Sequence, residues 1–348
     1  DLRLRRLIPR LRQALPDPET RQIHSLTPED RRREAQELKG PAIGNRHRHA
    51  RSYEVVRRVV VGTFNDGFLY AGNLAYMSML AIFPFFITGA AIFAALGEGS
   101  ERAASINAIL LAMPPVVAEV IEPVARSVID SRQGWLLWAG GIVGLWTVGS
   151  LIETIRDLLR RAYGTEPTQA FWLYRLASTA MIIGAVILLL FSLIAQVTIG
   201  AAQQVIDAYF PPLSDVLDQL SLARFVPGFG LFGSIYALFY ILTPSPYRKK
   251  RYPKWPGAVA TTLWWVGVTV ALPQVLRSFF AYNLTYGSLA GIIITLLFFW
   301  LVGLGLVIGA QLNAALAETP EEERLAMRDN ALESRIAPEA LAMERKKP

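Results

Sequence analysis

Acid–base, nucleophilic and metal chemistry each need particular side chains, and the 348-residue sequence offers few of them. Its three histidines, His24, His47 and His49, all fall in the first fifty residues. There His47-Arg48-His49 alternates with cations and reads as a solvated basic patch rather than a metal site. Cysteine is absent, which excludes disulfides, iron–sulfur clusters and cysteine-held zinc. The chain has no phosphate-cradling P-loop, no G-x-S-x-G turn and no paired acids within an apolar stretch. A metal-dependent nuclease would need clustered histidines and carboxylates, and none occur. The sequence therefore points away from an enzyme, with no catalytic residue, cofactor or metal expected.

Binding chemistry is better represented. Polar side chains inside long apolar stretches are costly in lipid and mark functional positions. They are Asn73 and Ser78, Gln196, and the pair Gln274 and Arg277 one turn apart; Gln311 and Asn313 close the last stretch. Interhelical hydrogen bonding is the simpler role for the neutral ones. Arg277 suits either snorkelling to an interface or holding an anion such as a lipid phosphate. A second group, Glu153, Arg156, Asp157, Arg160 and Arg161, has three- and four-residue spacing, so its members face one another on a helix as interfacial ion pairs. Contact of Arg156, Arg160 and Arg161 with anionic headgroups is the alternative.

The elements that must position these residues are apolar helices. Uncharged stretches run 67–97, 133–152, 176–206, 225–247, 255–276 and 278–317. Each supplies the ~20 residues that a helix needs to cross ~30 Å of hydrocarbon. The fold class expected is an all-α polytopic membrane bundle of six transmembrane helices, with amphipathic interfacial and periplasmic helices. A polar tail over 1–52 precedes a basic amphipathic helix over 53–66, with apolar residues at 53, 55, 56, 59, 60 and 64. The six-helix domain spans 67–315, and a charged tail follows over 316–348. Outer-surface helices are expected around Val117, Val120, Ile121, Val124 and Val128, and over 213–220. Gly140-xxx-Gly144 and Gly305-xxx-Gly309 permit close helix approach.

Orientation follows from the cations. Of 35 lysines and arginines, thirty fall on alternate segments that include both ends, and five on the others. The positive-inside rule then puts both termini in the cytoplasm. The net charge of +7 reads as topology plus affinity for anionic headgroups rather than nucleic-acid binding, for which no motif is present. Membrane lipids are the expected partners, with a homo-oligomer left open.

Four pieces in register resemble the YihY/BrkB family of bacterial inner-membrane proteins. Asn73-Leu74-Ala75-Tyr76-Met77-Ser78-Met79-Leu80-Ala81-Ile82-Phe83-Pro84 matches its first-helix signature, and Pro253-Lys254-Trp255-Pro256-Gly257-Ala258 opens the fifth helix. Tyr286-Gly287-Ser288-Leu289-Ala290-Gly291 opens the sixth, and Gly309-Ala310-Gln311-Leu312-Asn313 closes it. The resemblance covers about 55–315. It departs at the end of the second helix, where the family's Asn before an aromatic is replaced within Ile155–Tyr163. It implies a six-helix inner-membrane protein of a family once labelled as a ribonuclease, a name widely regarded as a misassignment. Members have been linked to movement of envelope lipid or lipopolysaccharide precursors, to ion tolerance and to serum resistance. A transporter or translocator of an anionic envelope lipid is the reading this favours; a non-transporting scaffold and an ion or solute exporter are the alternatives.

Overall fold

The computed structural model describes residues 25–37, 48–96, 115–130, 135–167, 172–184, 226–279 and 289–328, with positions 110, 170 and 331. Every regular element among them is helical. In chain order they are α1 (Pro28–Glu37), α2 (Arg48–Gly62), α3 (Phe68–Leu96), α4 (Pro115–Asp130), α5 (Trp135–Tyr163), α6 (172–184), α7 (Val226–Leu242), α8 (Trp255–Phe279), α9 (Ala290–Leu316) and α10 (320–328). A π-helical turn, Thr63–Gly67, joins α2 to α3 without a break.

α9 is the hub, packed against α2, α3, α4, α5 and α8. Small residues bring it close to its neighbours. A Cβ on Gly309 would sit 2.1 Å from Thr261 Oγ1 and 2.7 Å from the Gly257 carbonyl oxygen. One on Gly303 would meet the Ala71 carbonyl oxygen at 3.0 Å. The expected close-approach motif at Gly305 and Gly309 is thus the α8–α9 crossing.

That crossing is also closed by side chains reaching the opposite backbone. Thr261 donates to the Gly305 carbonyl (3.0 Å), and the Trp264 and Trp265 indoles donate to the Leu301 and Val302 carbonyls (2.8 Å each). The buried Asn313 amide oxygen accepts the Gly257 N–H at 2.8 Å. In a medium without water, each such bond satisfies a polar group that would otherwise be costly.

α8 and α9 are long and apolar enough to cross a membrane over Trp255–Leu276 and Ala290–Leu316. Shorter apolar stretches cover Phe68–Ile82 and Gly228–Leu242. Large apolar side chains point outward on most of these helices, among them Leu69, Ile142, Phe229, Leu263 and Val270. Apolar surface on that scale fits hydrocarbon rather than water. The stretch 176–206 and the helix expected over 213–220 lie mostly or wholly outside the described residues.

Two cores result. Leu158, Leu159, Tyr163, Phe239, Tyr247, Val307 and Ala310 fill one end of the bundle, called the charged end below. Val117 and Ile121 of the valine-lined α4 pack with Val268, Leu272 and Phe298 at the other. α4 is therefore docked onto α3 and α9 as well as amphipathic. The helix expected over 53–66 is present as α2 plus the π turn, with Tyr53, Val56, Val60 and Phe64 exposed on its apolar face.

Candidate functional site

The last three turns of α5 carry the charges that the sequence singled out. Glu153 accepts from Arg156 and from the Ser178 hydroxyl of α6, and Asp157 accepts from Arg160. The ion pairs expected from the spacing therefore form. Tyr174 of α6 supplies an aromatic face on which both cations rest, with guanidinium carbons 5.2 Å (Arg156) and 4.2 Å (Arg160) from its ring centre. The neighbouring Arg175 turns the other way, stacks 3.9 Å over Trp146 and donates to the Trp146 carbonyl and to Ser150 Oγ. A planar cation can stack and hydrogen-bond at once, which is why arginine rather than lysine suits this seam. Arg161 differs. Its side chain is exposed and has no hydrogen bond or ion pair among the described residues.

Arg161 lines a cavity of about 70 Å³ at the charged end. Gly62, Asn65, Gly67 and Tyr70 come from the π turn and its flanks, Leu158 from α5, and Val307 and Gln311 from α9. Single π turns inside helices recur at functional sites because the widened turn redirects side chains. Gly62 lets the Gln311 amide lie against the helix, since a Cβ there would stand 2.6 Å from Gln311 Oε1.

Leu26 and Thr27 complete the wall, and they are held there by a lock between the two ends of the chain. Thr27-Pro28-Glu29-Asp30 and Thr319-Pro320-Glu321-Glu322 are two copies of one helix-start signal: a threonine cap, proline in the first turn, and acids behind it. In the second copy the Thr319 N–H donates to Glu322 Oε2 at 2.8 Å while the Glu322 N–H reaches Thr319 Oγ1, a reciprocal cap. In the first, the Asp30 N–H donates to Thr27 Oγ1. The two capped helices then meet. Buried Arg31 donates to Glu322 (2.9 Å) and to the Ala317 carbonyl at the end of α9 (2.7 Å). Arg32 pairs with Glu321, and Tyr247 donates to Glu29 at 2.7 Å. α1, within the polar segment 1–52, is thus fixed to the bundle. The repeated T-P-E signal is the feature that could have revealed both helices, and the sequence reading passed over it.

Beneath α1 the loop 243–254 is held by one lysine. Lys254 Nζ donates to the carbonyls of Tyr247, Lys249 and Tyr252 at 2.6–3.0 Å, using all three of its hydrogens. Burial, with Arg248 nearby, lowers this ammonium to about 8. α5 ends against α1 at Gly164. Its φ of +70°, with the Gly164 N–H on the Arg161 carbonyl and the Thr165 N–H on that of Arg160, makes a Schellman stop.

Of the in-membrane candidates Asn73, Ser78, Gln196, Gln274 and Arg277, the side chains of three are described. Asn73 is exposed on α3, where Ala71, Leu74 and Ala75 make the buried face; Ser78 is half-buried. Gln274 is exposed on α8, and α9 packs against both α3 and α8. Gln196 and the Arg277 side chain lie outside the described residues. Among the described residues no group of three or more histidines, aspartates or glutamates could hold a metal ion.

Comparison with known proteins gives a consistent family. The family described as virulence factor BrkB matches residues 62–333. The ribonuclease-like protein YfkH of Bacillus subtilis is 27% identical over 255 residues, 73% of this chain and 91% of the relative. A UPF0761 membrane protein of Haemophilus influenzae is 26% identical over 72% of this chain and 90% of its own. One from Mannheimia succiniciproducens is 28% identical over 71% and 84%. No solved structure matches the chain.

Proposed function

This chain belongs to the BrkB family of membrane proteins, and from that premise we propose that it is a six-crossing protein of the bacterial inner membrane, both termini cytoplasmic, that moves an anionic envelope lipid or similar amphiphile between leaflets. The observation that carries the reading is the α5–α6 seam, where Arg156 and Arg160 rest on Tyr174 beside Arg161, which has no carboxylate partner among the described residues. Arg156 and Arg160 are balanced by Glu153 and Asp157, so Arg161 is the cation here that can attract an anionic headgroup, by about 1 kcal/mol. Exposed Trp172 and Trp255 suit the headgroup belt at that level. Asn73, Ser78, Gln196, Gln274 and Arg277 are the candidate contacts along the crossing. We read the chain as a non-enzyme, and the ribonuclease-like name belongs to the relative that bears it.

Reconstituting the full chain in liposomes and following a fluorescent anionic lipid between leaflets tests this. Faster exchange than in empty liposomes, slowed in an Arg161→Gln variant, is expected. Equal exchange with and without protein ends the reading.

A scaffold that moves nothing is the second reading, supported by the fixed α1–α10 pair, a rigid polar surface suited to a partner. It expects full biological activity from a protein with no lipid exchange, and loss of that activity when 1–37 is removed.

A further inference from the structure

We propose that the cavity between the π turn and Arg161 binds a phosphate group, carried on a lipid headgroup or free in solution. Four observations converge on it. Arg156, Arg160, Arg31 and Arg32 each have a carboxylate, whereas Arg161 has none among the described residues and faces the cavity. Its planar guanidinium matches two phosphate oxygens at once. The other polar groups on the wall are the amides of Asn65 and Gln311 and the hydroxyl of Tyr70; the Thr27 hydroxyl is already donated to Asp30 at 2.6 Å, and no carboxylate is among the lining residues. An anion entering there meets the Arg161 guanidinium and the amide donors of Asn65 and Gln311.

Size narrows the class. A water-sized group needs about 10–15 Å³ of such volume, so about 70 Å³ holds about five. A phosphate has five heavy atoms and fits that volume. Shape is prepared too, because Gly62 and Gly67 have no room for a Cβ, which would meet Gln311 Oε1 at 2.6 Å and Val307 Cγ1 at 2.9 Å. Leu26 and Thr27 form the remaining wall, so the docked N-terminal segment covers the site. Binding at equilibrium is independent of whether the protein moves lipid, so this site stands or falls apart from the transport reading.

The test uses the full chain in nanodiscs of zwitterionic phosphatidylcholine, melted with increasing inorganic phosphate at constant ionic strength. A parallel arm omits phosphate and adds phosphatidic acid to the disc. Stabilisation of the wild type in at least one arm is expected. Arg161→Gln is expected to raise the half-saturating concentration about tenfold or more, the scale of one lost charge-assisted bond. Arg161→Lys is expected to retain part of the effect, and the exposed Lys250→Gln all of it. Response to inorganic phosphate assigns a free anion; response to phosphatidic acid alone assigns a headgroup. Should Arg161→Gln not fold, Asn65→Ala at an exposed position reads the same site and is expected to weaken binding several-fold. The proposal is overturned if neither probe stabilises the wild type, or if Lys250→Gln abolishes the effect as fully as Arg161→Gln.

Discussion

Arg31 and Glu322 lie 291 residues apart in the chain and 2.9 Å apart in space, each almost wholly buried. The pair survives burial because every remaining group is satisfied. Arg31 also serves the Leu26 and Ala317 carbonyls, and Glu322 also serves the cap of its own helix. Removing one partner strands the other. Arg31→Met is expected to cost about 3–5 kcal/mol at this end of the molecule, with part recovered in Arg31→Met/Glu322→Gln. Hydrogen exchange over 28–37 and 320–328 reads it. Unchanged protection in the single variant would show that the contact contributes nothing.

Alkaline pH should loosen the same region through Tyr247. Burial first, then the Glu29 carboxylate that accepts its proton, raise this phenol well above its ordinary 10. An unfolded chain ionises its tyrosines near 10, so the contribution is fully present below that pH and lost as pH rises further. Tyr247→Phe is expected to lower α1 protection by about 1–2 kcal/mol at neutral pH and to flatten the alkaline loss. Parallel alkaline curves for wild type and variant would refute the assignment.

Two glycines, Gly309 at the α8–α9 crossing and Gly267 on the exposed face of α8, are expected to behave oppositely. Gly309→Ala places a methyl 2.1 Å from Thr261 Oγ1 and must separate the helices, at a cost of roughly 1–3 kcal/mol. Gly267→Ala meets nothing within 4 Å and should gain about 0.5–1 kcal/mol from helix propensity. Melting curves in one detergent compare them. Equal shifts would count against the crossing.

Gly164→Ala combines two faults: φ of +70° disfavours a side chain, and the new methyl would stand 2.2 Å from Thr27 Oγ1. A loss of roughly 1–3 kcal/mol with release of α1 is expected. Proteolysis near residue 27 at the wild-type rate would contradict it.

Much of this architecture was legible in the sequence, and the failures are specific. The apolar runs announce α8 and α9, and the spacing of Glu153 to Arg160 announces its ion pairs, because both signals are local. Gly305-xxx-Gly309 announces a close crossing but not its partner, which depends on Gly257 some fifty residues earlier. Asn73 stands out in the sequence because it is polar. In the bundle the inward face of α3 is marked by small residues, Ala71 and Ala75, since packing rather than polarity draws helices together in lipid. The cavity at the π turn was not foreseen, because it takes residues from four separate parts of the chain.

The lock between the chain ends has a consequence for synthesis. Arg31 leaves the ribosome 291 residues before Glu322, which at about 5–20 residues per second is about 15–60 s. Through that interval the α9 carbonyl that Arg31 will cap does not yet exist, and the guanidinium stays hydrated. A chain stopped before Thr319 is expected to keep 28–37 open to protease, whereas one that includes α10 protects it. Burial of Arg31 would then report that synthesis has passed Glu322, marking chains that carry α10 apart from those stopped before it for any protease that samples this region.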